Sequence, residues 1–310
     1  MSPAATVERR TFPLVPLRRL IGLPFGDLAS RRRGHGSDVI GARPYEPGDP
    51  VSSIDWFASA RLSTATGGDA FVVRDRAADE APRVALVVDR RPAMGLYPAP
   101  LPWLSKRDAL REAVAAIVAS ATLARADLAA LDFGEGDAWW LPPGRRDRPW
   151  LIDEREGGET PFNAPEDTLE RALAFVGRQR TDLPAGSFVF VLSDFLAPPA
   201  PETWQDAIGH GWDLVPVVIQ DPVWESGFPA VEGVAVPIAD PRGGRDVLVR
   251  LTRRQATRRR DENVRRYAGL IGELESFGLR PVHLGTSDPH AVDAAFIEWA
   301  EERRRRRWAR

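Results

Sequence analysis

Two acidic strand ends and one aromatic, turn-rich block hold the side chains through which this chain could act. Asp89 closes the apolar run 84–89, and Asp194 follows the apolar run 188–192. In an open α/β sheet, ligand-facing groups collect at the carboxyl ends of strands. Ahead of both, the segment 42–49 sets Tyr45 among turn residues and is followed by Asp55, Trp56 and Arg61. Aromatic rings among turn formers suggest a structured platform, either anchoring an interface or pinning a β-rich layer to a sheet. Catalysis has little to work with. Ser59 and Ser193 have no histidine arranged beside them by a recognised motif, which leaves capping or packing as their roles. The glycines at 134, 136, 157 and 158 lack the spacing and the lysine of a phosphate loop, so ATP hydrolysis would fall to a partner. The pairs Asp153 with Glu154 and Glu301 with Glu302 are adjacent residues, which do not face each other on a helix, and neither is an acid/base dyad. No catalytic residue is assigned.

Composition removes further classes. Cysteine is absent, which excludes thiolate nucleophiles, disulfides and cysteine metal sites. The four histidines, His35, His210, His283 and His290, show no close metal-ligand spacing. Charged residues make up 28% of the chain and the formal net charge is -2, so whole-chain electrostatics point to neither a nucleic acid nor a membrane surface. Lys106 is the sole lysine, and arginine carries the rest of the positive charge. No apolar run approaches the roughly 18 residues of a spanning helix, and the opening residues lack the apolar core of a signal peptide. The expectation is a soluble cytoplasmic protein.

The elements that must position these residues follow from periodicity. Residues 1–35 are weakly patterned and read as an N-terminal arm, with 31–34 a solvated junction. Residues 36–82 read as a β-rich segment of loops and short strands. From 83 to 302, apolar strands alternate with amphipathic helices, which implies an α/β fold: a mostly parallel sheet with helices on both faces. The strand 214–219 contains a proline, which favours an edge or a bulge. Residues 254–277 form a long helix with Val264, Tyr267, Ala268, Ile271 and Leu274 on one face. Trp139 and Trp140 are neighbours in a strand before a Pro-Pro-Gly turn, so one ring should face away from the core and offer a contact site. The basic tail, 303–310, reads as a solvated helix end.

The string 41–49 with Arg43, Tyr45, Gly48 and Asp49, followed by Asp55, Trp56 and Arg61, resembles the signature of the bacterial domain-of-unknown-function family fifty-eight. The strand 84–89 fits its place in that family. The resemblance implies a von Willebrand factor A-like domain with an added β-rich segment. Members' genes often accompany those of MoxR-type AAA+ ATPases, so the partners it implies are such an ATPase and an unknown protein client. The acids Asp49 and Asp55 are expected to bind backbone amides or Arg43 and Arg61.

Von Willebrand factor A domains commonly hold Mg²⁺ through an Asp-x-Ser-x-Ser loop, a distant Thr and a distant Asp, oxygen ligands suited to a hard cation. By the resemblance, Asp89, Thr160 and Asp194 match three of these positions, while Arg91 and Ala93 stand at the two serines. A guanidinium cannot become a ligand. The expected outcome is a degenerate metal-ion-dependent adhesion site, in which Arg91 or Arg90 replaces the metal charge and pairs with Asp89 or Asp194. No metal and no other cofactor is expected. The resulting expectation is a non-enzymatic protein-interaction adaptor with no nucleic-acid partner and no membrane span. A hydrolase-like enzyme using the strand-end pocket and a structural self-associating protein are the alternatives.

Overall fold

The turn-rich N-terminal region builds its layer around a helix. A computed structural model describes residues 10–16, 30–33, 39–45, 54–68, 71–78, 82–96, 104–132, 138–144, 161–230, 232–233, 235–238 and 247–308. The chain divides into two compact units, Met1–Leu17 with Arg83–Arg310, and Arg18–Pro82. In the smaller unit, β1 (Ser30–Arg33) and β2 (Val39–Pro44) lie on either side of β3 (Val72–Ala78), both antiparallel to it. Arg31 to Arg33, expected at a junction, therefore belong to a strand.

The chain between β2 and β3 forms α1 (Trp56–Thr66), where only loops and short strands were expected. Its cause is local. The Asp55 carboxylate accepts hydrogen bonds from the amides of Phe57 and Ala58, each at 3.1 Å. Gly67 closes the helix in the left-handed region at φ 70°. Aspartate and glycine are strong start and stop residues for a helix. Ser59 Oγ accepts from the Val72 amide at 2.8 Å and donates to the Asp55 carbonyl at 2.7 Å, tying α1 to β3. Asp55→Ala should therefore lower stability by about 1 kcal/mol, the usual loss of an N-cap, while Asp55→Asn, which keeps an accepting oxygen, should lose much less. Urea denaturation followed by tryptophan fluorescence distinguishes the two, and equal losses would point to a role outside the cap.

In the larger unit the strands are β4 (Arg83–Val88), β5 (Asp127–Asp132), β6 (Trp139–Gly144), β7 (Phe188–Ser193), β8 (Asp213–Ile219), the pair β9 (Ala235–Ile238) and β10 (Val247–Arg250), and β11 (Val282–Leu284). Six form one sheet in the order β11-β8-β7-β4-β5-β6, parallel throughout except β6, which runs antiparallel to β5. The helices are α2 (Lys106–Leu123), α3 (Thr168–Arg178), α4 (Pro201–Gly209), α5 (Arg253–Ser276) and α6 (Pro289–Trp308). Side chains alternate across β4: Val84, Leu86 and Val88 join the core under α2 and α6, and Ala85 and Val87 join the core under α3, α4 and α5. This is the α/β architecture the alternation implies, a mostly parallel sheet covered on both faces and preceded by small strands. No helix among the described residues is long and apolar enough to cross a membrane.

Four details differ from the sequence expectation. Part of the N-terminal arm is core: Phe12 is buried, its amide donates to Ser120 Oγ at 3.0 Å, and its ring stacks on Phe296 at 4.8 Å. The basic tail begins with a buried residue. Arg303 donates to both carboxylate oxygens of Asp213, at 2.9 and 3.0 Å, and to the Val15 carbonyl at 3.0 Å. Pro216 lies in β8 between β7 and β11, not at an edge. The Gln220 amide donates to Leu284 of β11, so by alternation the missing donor of Pro216 faces the same side. There, β11 pairs only from Val217 onward, so no ladder bond is lost. Finally, of the expected apolar face of α5, Leu274 is buried and Tyr267 and Ile271 are half-buried against the core, but Val264 and Ala268 are exposed, and Ala256 and Leu270 are buried in their place.

Candidate functional site

β4 and β7 are adjacent, and the chain leaves them in opposite directions across the sheet, toward β5 and β8. Their carboxyl ends therefore open at a topological switch point, where such sheets bind ligands. Asp89 follows β4, while Ser193 ends β7 and Asp194 follows it. All three are buried.

Arg91 fills the centre of this group. Its Nη2 lies 2.7 Å from Asp89 Oδ2, its Nε lies 3.1 and 3.0 Å from the two Asp89 oxygens, and its amide donates to Asp89 Oδ1 at 2.9 Å. Nη2 also reaches Ser193 Oγ at 3.2 Å, and Nη1 reaches the Ala197 carbonyl at 2.6 Å. Asp194 Oδ1 is 3.9 Å away. The Ser193 hydroxyl donates to Asp89 Oδ2 at 2.6 Å and accepts from the Phe195 amide at 2.9 Å. That second bond helps hold Phe195 at φ 49°, a left-handed conformation uncommon for a non-glycine residue. Burial opposes the Arg91 charge, but the hydrogen bond and charge of Asp89, with Asp194 behind it, outweigh burial and raise the guanidinium pKa. The other candidate cation, Arg90, turns to Asp132, with Nε 3.0 Å and Nη2 2.9 Å from Oδ2.

A second internal cation stands beside the first. Lys106 opens α2 after Ser105, whose hydroxyl caps the helix. Its ammonium is completely buried and directs its three donors to Glu225 Oε1 at 2.5 Å, Asp194 Oδ2 at 2.9 Å and the Ala93 carbonyl at 3.1 Å. Burial pulls the Lys106 pKa down, but the two carboxylates more than compensate and it rises. One ammonium shared between two acids leaves Glu225 short of neutralisation. Burial, aided by Asp194 and opposed by Lys106, raises the Glu225 carboxyl pKa. Glu225 is set by the turn after β8: its Oε2 accepts from the Asp221 amide at 2.8 Å, and Asp221 Oδ1 caps the amides of Val223 and Trp224. α5 braces the same turn through Asn263, which donates to the Trp224 and Gly227 carbonyls, and through Arg266, which donates to the Glu225 carbonyl. Gly227 is required there, since a Cβ would lie 2.7 Å from the Pro222 carbonyl oxygen.

Of the positions named from sequence, the fold thus brings Asp89, Arg91, Ala93 and Asp194 together. Ala93 takes part through its carbonyl. Thr160, Gly48 and Asp49 lie outside the described residues. Sequence reasoning missed Lys106, Glu225 and the Ser193 link. The one available signal was that Lys106 is the only lysine in an arginine-rich chain.

In the smaller unit, Arg43 belongs to β2, opposite Val73. Asp55 binds backbone amides, one of its two expected partners. Phe71 receives Tyr45 and Trp56 edge-on, at 6.4 and 6.1 Å, and Arg61 lies over Phe57 at 5.2 Å. Trp56 remains 61% exposed and Phe57 73%. Trp139 and Trp140 differ from expectation: both are half-buried, one against each core cluster, because the sheet is covered on both faces even at its β6 edge.

Among known structures, the chain is similar to the conserved hypothetical protein BatB from Bacteroides thetaiotaomicron, at 18% identity and a TM-score of 0.41, covering 71% of this chain and 100% of that one. An aerotolerance-related membrane protein from Bacteroides fragilis gives 13% identity and 0.39, covering 72% and 100%. The PilB minor pilin from Streptococcus sanguinis gives 11% and 0.36, covering 76% and 64%. No curated protein matches the chain. The family profile described as a protein of unknown function, DUF58, matches residues 41–268, which takes in the aromatic platform, the switch-point site and most of α5. The chain belongs to the DUF58 family.

Proposed function

We propose that this chain is a non-enzymatic, metal-independent adaptor that works with a MoxR-type AAA+ ATPase and a protein client in the cytoplasm. The observation that carries the reading is the Arg91 fork on Asp89. A hard cation at this position would need the lone pairs of Asp89 and of a neighbouring hydroxyl, and the guanidinium already occupies both. The same geometry weighs against a hydrolase, because the Ser193 hydroxyl is buried and engaged on both its donor and acceptor sides. The ATPase enters through the resemblance carried by residues 41–61. Within the adaptor reading, Tyr45, Trp56, Phe57 and Phe71 are the contact surface we assign, since exposed aromatic residues beside an arginine have the composition of an interface hot spot.

Co-purification with a MoxR-type ATPase, in buffer with and without EDTA, tests this. Binding should be unchanged by the chelator, and calorimetric titration of the protein with Mg²⁺ should give no saturable heat. Arg91→Ser with Ala93→Ser should admit Mg²⁺ only weakly, because Lys106 still occupies Asp194, and Trp56→Ala with Phe57→Ala should weaken the ATPase interaction. Chelator-sensitive binding by the unaltered protein would overturn the metal-independent reading.

A further inference from the structure

Positive charge is strongly segregated in this chain. Residues 250–266 contain eight arginines against Asp261 and Glu262, in a protein whose formal net charge is -2. Ala256, Leu270 and Leu274 of α5 are buried, so helical geometry places Arg254, Arg258 and Arg265 on the opposite side. Together with Arg253, Thr257 and Asp261 they form one exposed face of the helix. Arg258 pairs with Glu262 at 2.7 Å on this exposed face, and such a pair is weak enough to exchange partners. Arg266 is engaged with the turn at Glu225 and is not part of the surface.

Directly before this helix stands an aliphatic feature that the fold leaves in solvent. Among the described residues β10 pairs only with β9, and its Val247 and Leu248 are 57% and 71% exposed. Consecutive strand residues point to opposite faces, so the ribbon carries an uncovered aliphatic side chain on each. Only Leu251 and the cap residue Thr252 separate β10 from α5, which places the pair next to the first arginines.

We propose that β10 and the outward face of α5 form a peripheral docking surface for an anionic lipid bilayer. The guanidinium groups would bind headgroup phosphates and carboxylates, while one of the two exposed aliphatic side chains, the one on the ribbon face turned to the bilayer, enters the boundary with the acyl chains. A bilayer offers both layers, charge and hydrocarbon, in that order. A polynucleotide would satisfy the arginines but would reward aromatic stacking rather than two aliphatic side chains. The inference is independent of the adaptor reading, since neither the switch-point site nor the aromatic platform takes part.

Vesicle co-sedimentation of the full chain tests it, with phosphatidylcholine alone compared with vesicles containing about a third phosphatidylserine. Binding is expected only to the anionic vesicles, and it should weaken as salt shortens the range of the arginine field. The triple change Arg254→Glu, Arg258→Glu, Arg265→Glu should cut partitioning by about a hundredfold or more, at roughly fivefold or more per charge. Val247→Ser with Leu248→Ser should weaken binding at every salt concentration. All five positions are exposed, so an unchanged thermal melt confirms that the variants fold. No partition to anionic vesicles, full binding after charge reversal, or displacement by an oligonucleotide with the serine variant unaffected would each overturn the proposal.

Discussion

Replacing Lys106 by methionine is expected to lower the unfolding free energy by about 3–5 kcal/mol, the usual result of removing one partner from a buried ion cluster. Methionine fills similar space, so the loss isolates charge: Asp194 and Glu225 would stay buried with no ammonium between them. The pH dependence follows from the directions of the shifts. The Lys106 pKa is raised above 10.5, so its contribution is complete below 10.5 and disappears as pH climbs through the higher folded value. The Glu225 pKa is raised above 4.5, so that acid is at its least favourable once ionised and improves as it takes up a proton. The wild-type advantage over Lys106→Met should therefore hold across neutral pH, shrink in mild acid and shrink again in strong alkali. Adding Glu225→Gln to Lys106→Met should recover part of the loss at neutral pH. Urea denaturation across pH measures all of this, and a neutral-pH loss below about 1 kcal/mol would show that another cation neutralises the acids.

Phe12→Ala is expected to cost about 3–5 kcal/mol, the range for emptying a buried phenylalanine site. Phe12 stacks on Phe296 and meets Trp299 and Phe190 edge-on at 5.8 and 6.4 Å, so its ring joins α6 to the sheet. Phe12→Leu should lose considerably less, because it refills most of the volume. Removing residues 1–16 should be at least as damaging as the alanine change. A truncated chain that melts like the full one would return this segment to the role of a loose arm.

Long-period features of the fold were legible because they repeat. The six apolar strands and the helices between them announce a covered, mostly parallel sheet, and Asp89 and Asp194 could be placed at strand ends from their runs alone. Features resting on a single residue were harder to see. One phenylalanine in an unpatterned stretch has no period to betray it, yet Phe12 is core. Asp55 reads equally well as a turn residue and as a helix cap, and only the 11 residues after it settle which. Pro216 argues for an edge until the short length of β11 is known. At the site, Arg91 was legible because a positive charge stood where an oxygen was needed. Lys106 was not, because its partners are 88 and 119 positions away in the chain, and no local pattern encodes such a meeting.

The burial of the only lysine also sets how the folded chain meets amine chemistry. With Lys106 fully enclosed, no side-chain amine is accessible to acylation, to amine-directed cross-linkers or to enzymes that attach a protein tag through an isopeptide bond. Each of these would first require α2 to part from the turn that holds Glu225. Modification of Lys106 is therefore a one-residue clock: its rate reports how often this chain opens, uncontaminated by any other lysine.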